Sequence, residues 1–79
     1  MKCTHYFCFI RRRQDRIIIK DEWIIYAIRN PLRVEIQSDG RIRKWCYVME
    51  MDKHLRVILL EDGETVHNAF FDRNFKEKS

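Results

Sequence analysis

Two Asp-Gly pairs, Asp39-Gly40 and Asp62-Gly63, constrain this chain more than any other feature. Each lies between runs rich in Val, Ile, Leu and aromatic residues. A type I′ hairpin turn needs positive φ at both central positions, and Asp-Gly is among the pairs that supply it. A third reversal falls between them, at Asp52-Lys53-His54. The three turns predict four strands over about 33–73, folded back and forth as an antiparallel meander.

At 79 residues the chain makes one domain, and a domain this small buries only roughly 60% of the surface of its unfolded form. It has room for one sheet with helices on one side, so any chemistry belongs to an open face or a shallow groove. The composition, 46% hydrophobic and 35% charged, excludes intrinsic disorder. A first helix is predicted over about 4–16, with Thr4 as N-cap and Tyr6, Phe9, Ile10 and Arg13 on one stripe. Ile17-Ile18-Ile19 is too β-branched for a helix interior and reads as an extended connector. A second helix, about 21–30, starts at Asp21 and repeats Trp23, Ile24, Ala27 and Ile28 at helical spacing. Pro31 stops it. The tail, 76–79, is expected to fray. The fold class is α+β: two N-terminal helices packed on one face of a four-stranded antiparallel meander.

The net charge of +4 is unevenly placed. In residues 1–16, five bases (Lys2, Arg11, Arg12, Arg13 and Arg16) face one acid, Asp15, whereas residues 17–79 balance. A basic segment suits a polyanion, nucleic acid before membrane. No apolar run approaches the roughly 20 residues that span a bilayer, so no membrane partner is expected. Three cysteines, an odd number without framework spacing, point to a reducing, cytoplasmic setting. Cys3-x-His5-x-x-Cys8 supplies half a zinc site, but Cys46 is isolated within a strand, so no metal and no cofactor are expected.

Register decides which residues share a face. Two-residue loops would set Ser38 opposite Arg41, Val34 opposite Trp45 and Ile58 opposite His67. One face would then carry Val34, Ile36, Arg41, Arg43, Trp45, Tyr47, Met49, His54, Arg56, Ile58, Leu60, His67, Ala69, Phe71 and Arg73, with no acid. The other would place Glu35 opposite Lys44, with Val48, Leu55, Val57, Leu59, Val66 and Phe70 at its centre to receive the helices. Bases around two aromatics suit a phosphate backbone and unstacked bases. Cleavage of RNA by its own 2′-hydroxyl needs a proton acceptor, a proton donor and cations for the phosphorane. Histidine and arginine provide these. His67, Arg56 and Arg73 form the candidate catalytic trio. Arg41, Arg43, Trp45, Tyr47, Arg11, Arg12, Arg13 and Arg16 are the candidate RNA-binding residues.

The order of a basic N-terminal helix, a short helix ending Asn30-Pro31, then Asp39-Gly40-Arg41, Leu55-Arg56-Val57, Asp62-Gly63 and Phe71-Asp72-Arg73 resembles the RelE-like toxins. These are the ribonuclease halves of toxin–antitoxin pairs. Arg12 and Arg16, each part of a basic helix end running into Ile17, fit the same likeness. The resemblance implies helices on one side of the sheet, RNA on the other, and a partner set of RNA or ribosome and a small acidic antitoxin-like protein. It also implies metal-independent endoribonuclease activity, with Arg56, Arg73 and His67 the nearest matches to the family's site. Phe75 stands where many such toxins carry tyrosine or histidine, and it has no proton to give. The alternative reading is a non-catalytic module that binds protein or nucleic acid on the same fold.

Overall fold

The computed structural model describes residues 1–77. It is an α+β fold in which α1 (His5–Ile10) and α2 (Asp21–Arg29) precede β1 (Arg33–Ile36), β2 (Ile42–Val48), β3 (Lys53–Leu59) and β4 (Val66–Phe71). The strands form one antiparallel sheet in the order β1-β2-β3-β4. The meander read from the turns is therefore present. Of the predicted tail, 78–79 lie outside the described residues.

Thr4 caps α1 by accepting the Phe7 N–H at 3.1 Å. The helix ends at Ile10 rather than near 16, and residues 11–17 continue as turns, with Arg13 N–H on Ile10 O and Arg16 N–H on Arg13 O. The buried side chains explain the early stop. Phe7 and Ile10 enter the core from α1, and the turns then let the chain wind back to bury Ile19. Tyr6 and Phe9, expected on the inward stripe, are exposed. In α2, Trp23, Ile24 and Ala27 point inward at helical spacing, and Asp21 lies in the first turn rather than at the cap.

Neither Asp-Gly pair makes a two-residue turn. Gly40 and Gly63 have φ of +89° and +70°, but Asp39 and Asp62 do not take positive φ, so a type I′ turn is ruled out at both. Ser38-Asp39-Gly40 forms a three-residue loop, closed by Gln37 N–H on Arg41 O at 2.7 Å and Gly40 N–H on Gln37 O at 2.9 Å. Residues 61–64 form a four-residue loop closed by Leu60 N–H on Thr65 O. The Asp62 carboxylate takes the Thr65 hydroxyl at 2.6 Å and the amides of Glu64 and Thr65. Those bonds draw its pKa down to about 2. Between β2 and β3, a turn of 3₁₀ helix (Met49–Met51) and Asp52 at φ 50° make a four-residue loop.

The extra residue in the first loop corrects the register. Arg33 lies opposite Trp45, Val34 opposite Lys44 and Glu35 opposite Arg43, so β1 is turned over relative to the expected pairing. The pairing of β2 with β3 keeps the expected parity, with Trp45 opposite Arg56 and Tyr47 opposite His54. A bulge at His67 turns over the rest of β4: Leu59 pairs with Val66, but Ile58 pairs with Asn68 and Arg56 with Phe70.

Both helices cover the expected aliphatic face. Phe7, Ile10, Ile19, Trp23, Ile24 and Ala27 pack against Cys46, Val48, Leu55, Val57, Leu59, Val66 and Ala69. Ala69 and Phe71 belong to this side, and Phe70 to the other, because of the bulge. Leu55 is completely buried at the centre of the core. Leu55→Ala should cost about 3 kcal/mol in a urea melt. Gly63→Ala should cost about 1 kcal/mol, because a Cβ there meets only ordinary contact with Ile42 and the penalty is the left-handed backbone alone.

Candidate nucleic-acid interface

The face turned away from the helices is built by side chains two apart on each strand. β1 contributes Arg33 and Glu35, β2 contributes Arg43, Trp45 and Tyr47, β3 contributes His54, Arg56 and Ile58, and β4 contributes Asn68 and Phe70. Past β4 the chain turns back across this face. Asp72 directs the turn: its N–H bonds His54 O at 2.9 Å, and its carboxylate accepts the Asn74 N–H at 3.0 Å and the Trp45 indole N–H at 3.0 Å. Arg56 lies 3.7 Å from the same carboxylate. Burial works against the Asp72 charge, but the Trp45 indole, the Asn74 amide and Arg56 outweigh it and hold the carboxyl below its ordinary value.

The turn lays Phe75 on Trp45, with ring centres 5.2 Å apart and planes 23° from parallel. The Arg33 guanidinium lies 4.5 Å from the centre of the Phe75 ring, and the His54 ring is 4.8 Å away. Lys76 and Glu77, expected to fray, are held: Arg33 donates to Lys76 O at 3.0 Å, and Glu77 meets His54 Nε2 at 3.0 Å. Trp45 is consequently 4% exposed although no helix covers it.

The expectation of an acid-free face does not hold. The turned-over β1 brings in Glu35, 3.6 Å from Arg43 and 3.9 Å from Arg33, and the bulge and strap bring in Asp72 and Glu77. Arginine remains the main cation here. Arg56 also lies 5.6 Å from the Trp45 ring centre and 5.2 Å from that of Phe70.

The expected trio is not assembled. His67 sits in the bulge, three residues or about 10 Å of extended chain from Phe70, the neighbour of Arg56. Its Nδ1 is 3.2 Å from Thr4 Oγ and its ring stacks on Tyr6 at 5.0 Å. Thr4 Oγ also accepts the Phe7 amide, so Thr4 ties His67 to the first turn of α1, and His67 serves as a joint between α1 and β4. Burial first, and Arg41 second, hold its pKa below the ordinary histidine value. Arg73 does share a site with another basic group. With Lys53, His54, Phe70, Asp72 and Phe75 it lines an open groove of about 480 Å³. His54 is thus the histidine that lies beside Arg56 and Arg73. Its place two residues from Arg56 in a strand was the sequence signal for it.

The remaining candidates are dispersed. Tyr47 is half-exposed and donates its hydroxyl to Asp52, a bond that raises its pKa and keeps it protonated. Arg41 pairs with Asp39 in the β1–β2 loop. Arg11 pairs with Asp21, while Arg16 pairs with Asp15 and donates to Ala69 O at 3.2 Å. Arg12 and Arg13 are exposed. Among the described residues, no group of three or more His, Cys, Asp or Glu is arranged to hold a metal, and no helix is long and apolar enough to cross a membrane. Cys46 is buried, which pushes its thiol up to about 11. Comparison with protein-family models, curated proteins and solved structures returns no match.

Two measurements follow from this geometry. In a Trp23→Phe background, Phe75→Ala should shift Trp45 emission to the red and raise its quenching by acrylamide, at a stability cost of about 2 kcal/mol. His67 should titrate below the unperturbed histidine value of about 6.5 in an NMR pH series. A histidine whose folded pKa is lowered binds protons preferentially when unfolded. Its contribution is therefore complete above the unfolded pKa and declines as pH falls through that value toward the folded one. His67→Gln should accordingly flatten the loss of stability seen on acidifying from neutral pH.

Proposed function

We propose that this chain is a small cytoplasmic RNA-binding protein of RelE-like toxin type, an endoribonuclease acting by 2′-hydroxyl attack. The observation that carries the reading is the placement of His54 and Arg73 on one open groove beside an aromatic stack, with Arg56 two residues from His54 on the same face of β3 and 3.7 Å from Asp72 of the groove wall. Arg56 and Arg73 supply cations for a phosphate, and His54 takes the proton-transfer role first assigned to His67. Trp45, with Arg33 above it, offers the platform on which a base stacks once Phe75 withdraws. Two helices on one side of a four-stranded antiparallel sheet is also the arrangement that the RelE-like resemblance implies. The ribosome and a small acidic antitoxin-like protein are the partners that go with this reading.

A specific observation favours a second reading, a non-catalytic module that binds protein or nucleic acid. Glu35, Asp72 and Glu77 already sit against Arg43, Arg56 and His54, which leaves fewer unmatched charges for a polyanion.

Binding of short single-stranded RNA, followed by fluorescence anisotropy across a salt series, separates these readings from failure. The expected slope of log affinity against log salt is about −0.7 per phosphate contact, and Arg56→Ala should remove roughly one contact. Incubation with mRNA, alone and with ribosomes, should give fragments with wild type and His67→Gln but not with His54→Ala. Binding without cleavage in either condition would leave the second reading. Absence of salt-dependent binding would remove RNA altogether.

A further inference from the structure

The two edges of the sheet are treated differently. At the β4 edge, the N-terminal segment pairs with Val66: Thr4 N–H reaches Val66 O at 3.0 Å and Val66 N–H reaches Lys2 O at 2.8 Å. Farther along that edge, Arg16 occupies Ala69 O. At the β1 edge, nothing among the described residues pairs with the strand's outer side. Gln37 N–H bonds Arg41 O, so the alternation of an antiparallel ladder turns the amides and carbonyls of Arg33 and Glu35 inward to β2. Those of Val34 and Ile36 face outward. Their side chains lie on the helix side of the sheet, beyond the reach of α2, which packs on β2 and β3. Val34 is 49% exposed and Ile36 74% exposed. A bare edge carrying exposed β-branched residues is a template for another strand.

We propose that β1 pairs antiparallel with β1 of a second copy of this chain, joining two sheets into one across a two-fold axis. Charge selects the occupant and the register. A two-fold pairing that keeps both helix layers on one side must set even residues opposite even ones. With Val34 opposite Ile36 of the second copy, Glu35 would face Glu35. With Val34 opposite Leu32, Arg33 would face Arg33. With Val34 opposite Val34, Arg33 faces Glu35 of the second copy, and the symmetry makes that ion pair twice.

In this last register the two Val34 residues exchange backbone hydrogen bonds. Arg33 and Glu35 fall at the closely spaced, non-hydrogen-bonded positions, where cross-strand charge pairs interact best. The chain thus carries on one strand both halves of a complementary pattern, as a self-pairing edge requires. A four-residue strand is about 13 Å long, so the interface is small and the association weak and concentration-dependent.

Sedimentation equilibrium over roughly 5–500 µM reads the proposal directly. The expected result is a mass rising from the 9.8 kDa of one copy toward twice that value. Glu35→Arg sets Arg against Arg33 on both sides and should weaken the dimer by about tenfold. The double variant Arg33→Glu/Glu35→Arg restores the pattern with its signs exchanged and should return the dimer. Val34→Pro removes an outward N–H, leaves the β1–β2 ladder intact and should give a monomer whose circular dichroism matches wild type. A single-copy mass for the wild type throughout would overturn the proposal. So would a dimer that survives both Glu35→Arg and Val34→Pro. If the double variant stayed monomeric with native circular dichroism, the proposed register would be wrong.

Discussion

The whole sheet face depends on the loop at Ser38-Asp39-Gly40. Gly40 takes the positive φ that a side chain resists, and Asp39 stays outside that region, so the chain reverses over three residues. One residue more or less in that loop exchanges Arg33 and Glu35 for Val34 and Ile36 across the sheet. As folded, Arg33 reaches the Trp45–Phe75 stack and Glu35 meets Arg43, while two aliphatic residues are left beyond the helices. The composition of the candidate site and the bare outer edge are two results of the same turn.

Much of this fold could be read from residue order. Apolar residues at every second position of 55–59 put Leu55, Val57 and Leu59 on one side, and helical spacing in 21–29 puts Trp23, Ile24 and Ala27 on another. These elements are regular, and their pattern is their packing. The misread parts are those where one residue changes the count. Asp-Gly fits both a two-residue turn and the longer loops seen here, and nothing local to Val66-His67-Asn68 announces a bulge. The early end of α1 was equally hidden, because it answers to the burial of Ile19 nine residues on.

The site was legible to the same extent. Trp45, Tyr47, His54 and Arg56 share a face because the β2–β3 loop preserved parity, and that pairing was correctly anticipated. His67 was misplaced by the bulge, and the acids were missed because they arrive from a turned-over strand and from the chain beyond β4. Asp72 shows why such a residue escapes a pattern-based reading. It is one carboxylate that accepts an indole N–H and a backbone amide and faces a guanidinium, and these partners come from three separate parts of the chain. Its surroundings exist only after folding.

The strap behind Asp72 also sets a threshold for anything that would use Trp45. Phe75 is a tethered occupant, three residues from its anchor, and short tethers hold a group at effective concentrations on the order of millimolar. On the RNA-binding reading proposed above, a base stacking on Trp45 would compete with that built-in ring, and its apparent affinity would be the intrinsic one multiplied by the fraction of molecules in which the ring has lifted. Under that proposal the indole platform would favour ligands long enough to hold the neighbouring groove at the same time. A lone nucleobase would lose the competition that a strand of several nucleotides can win.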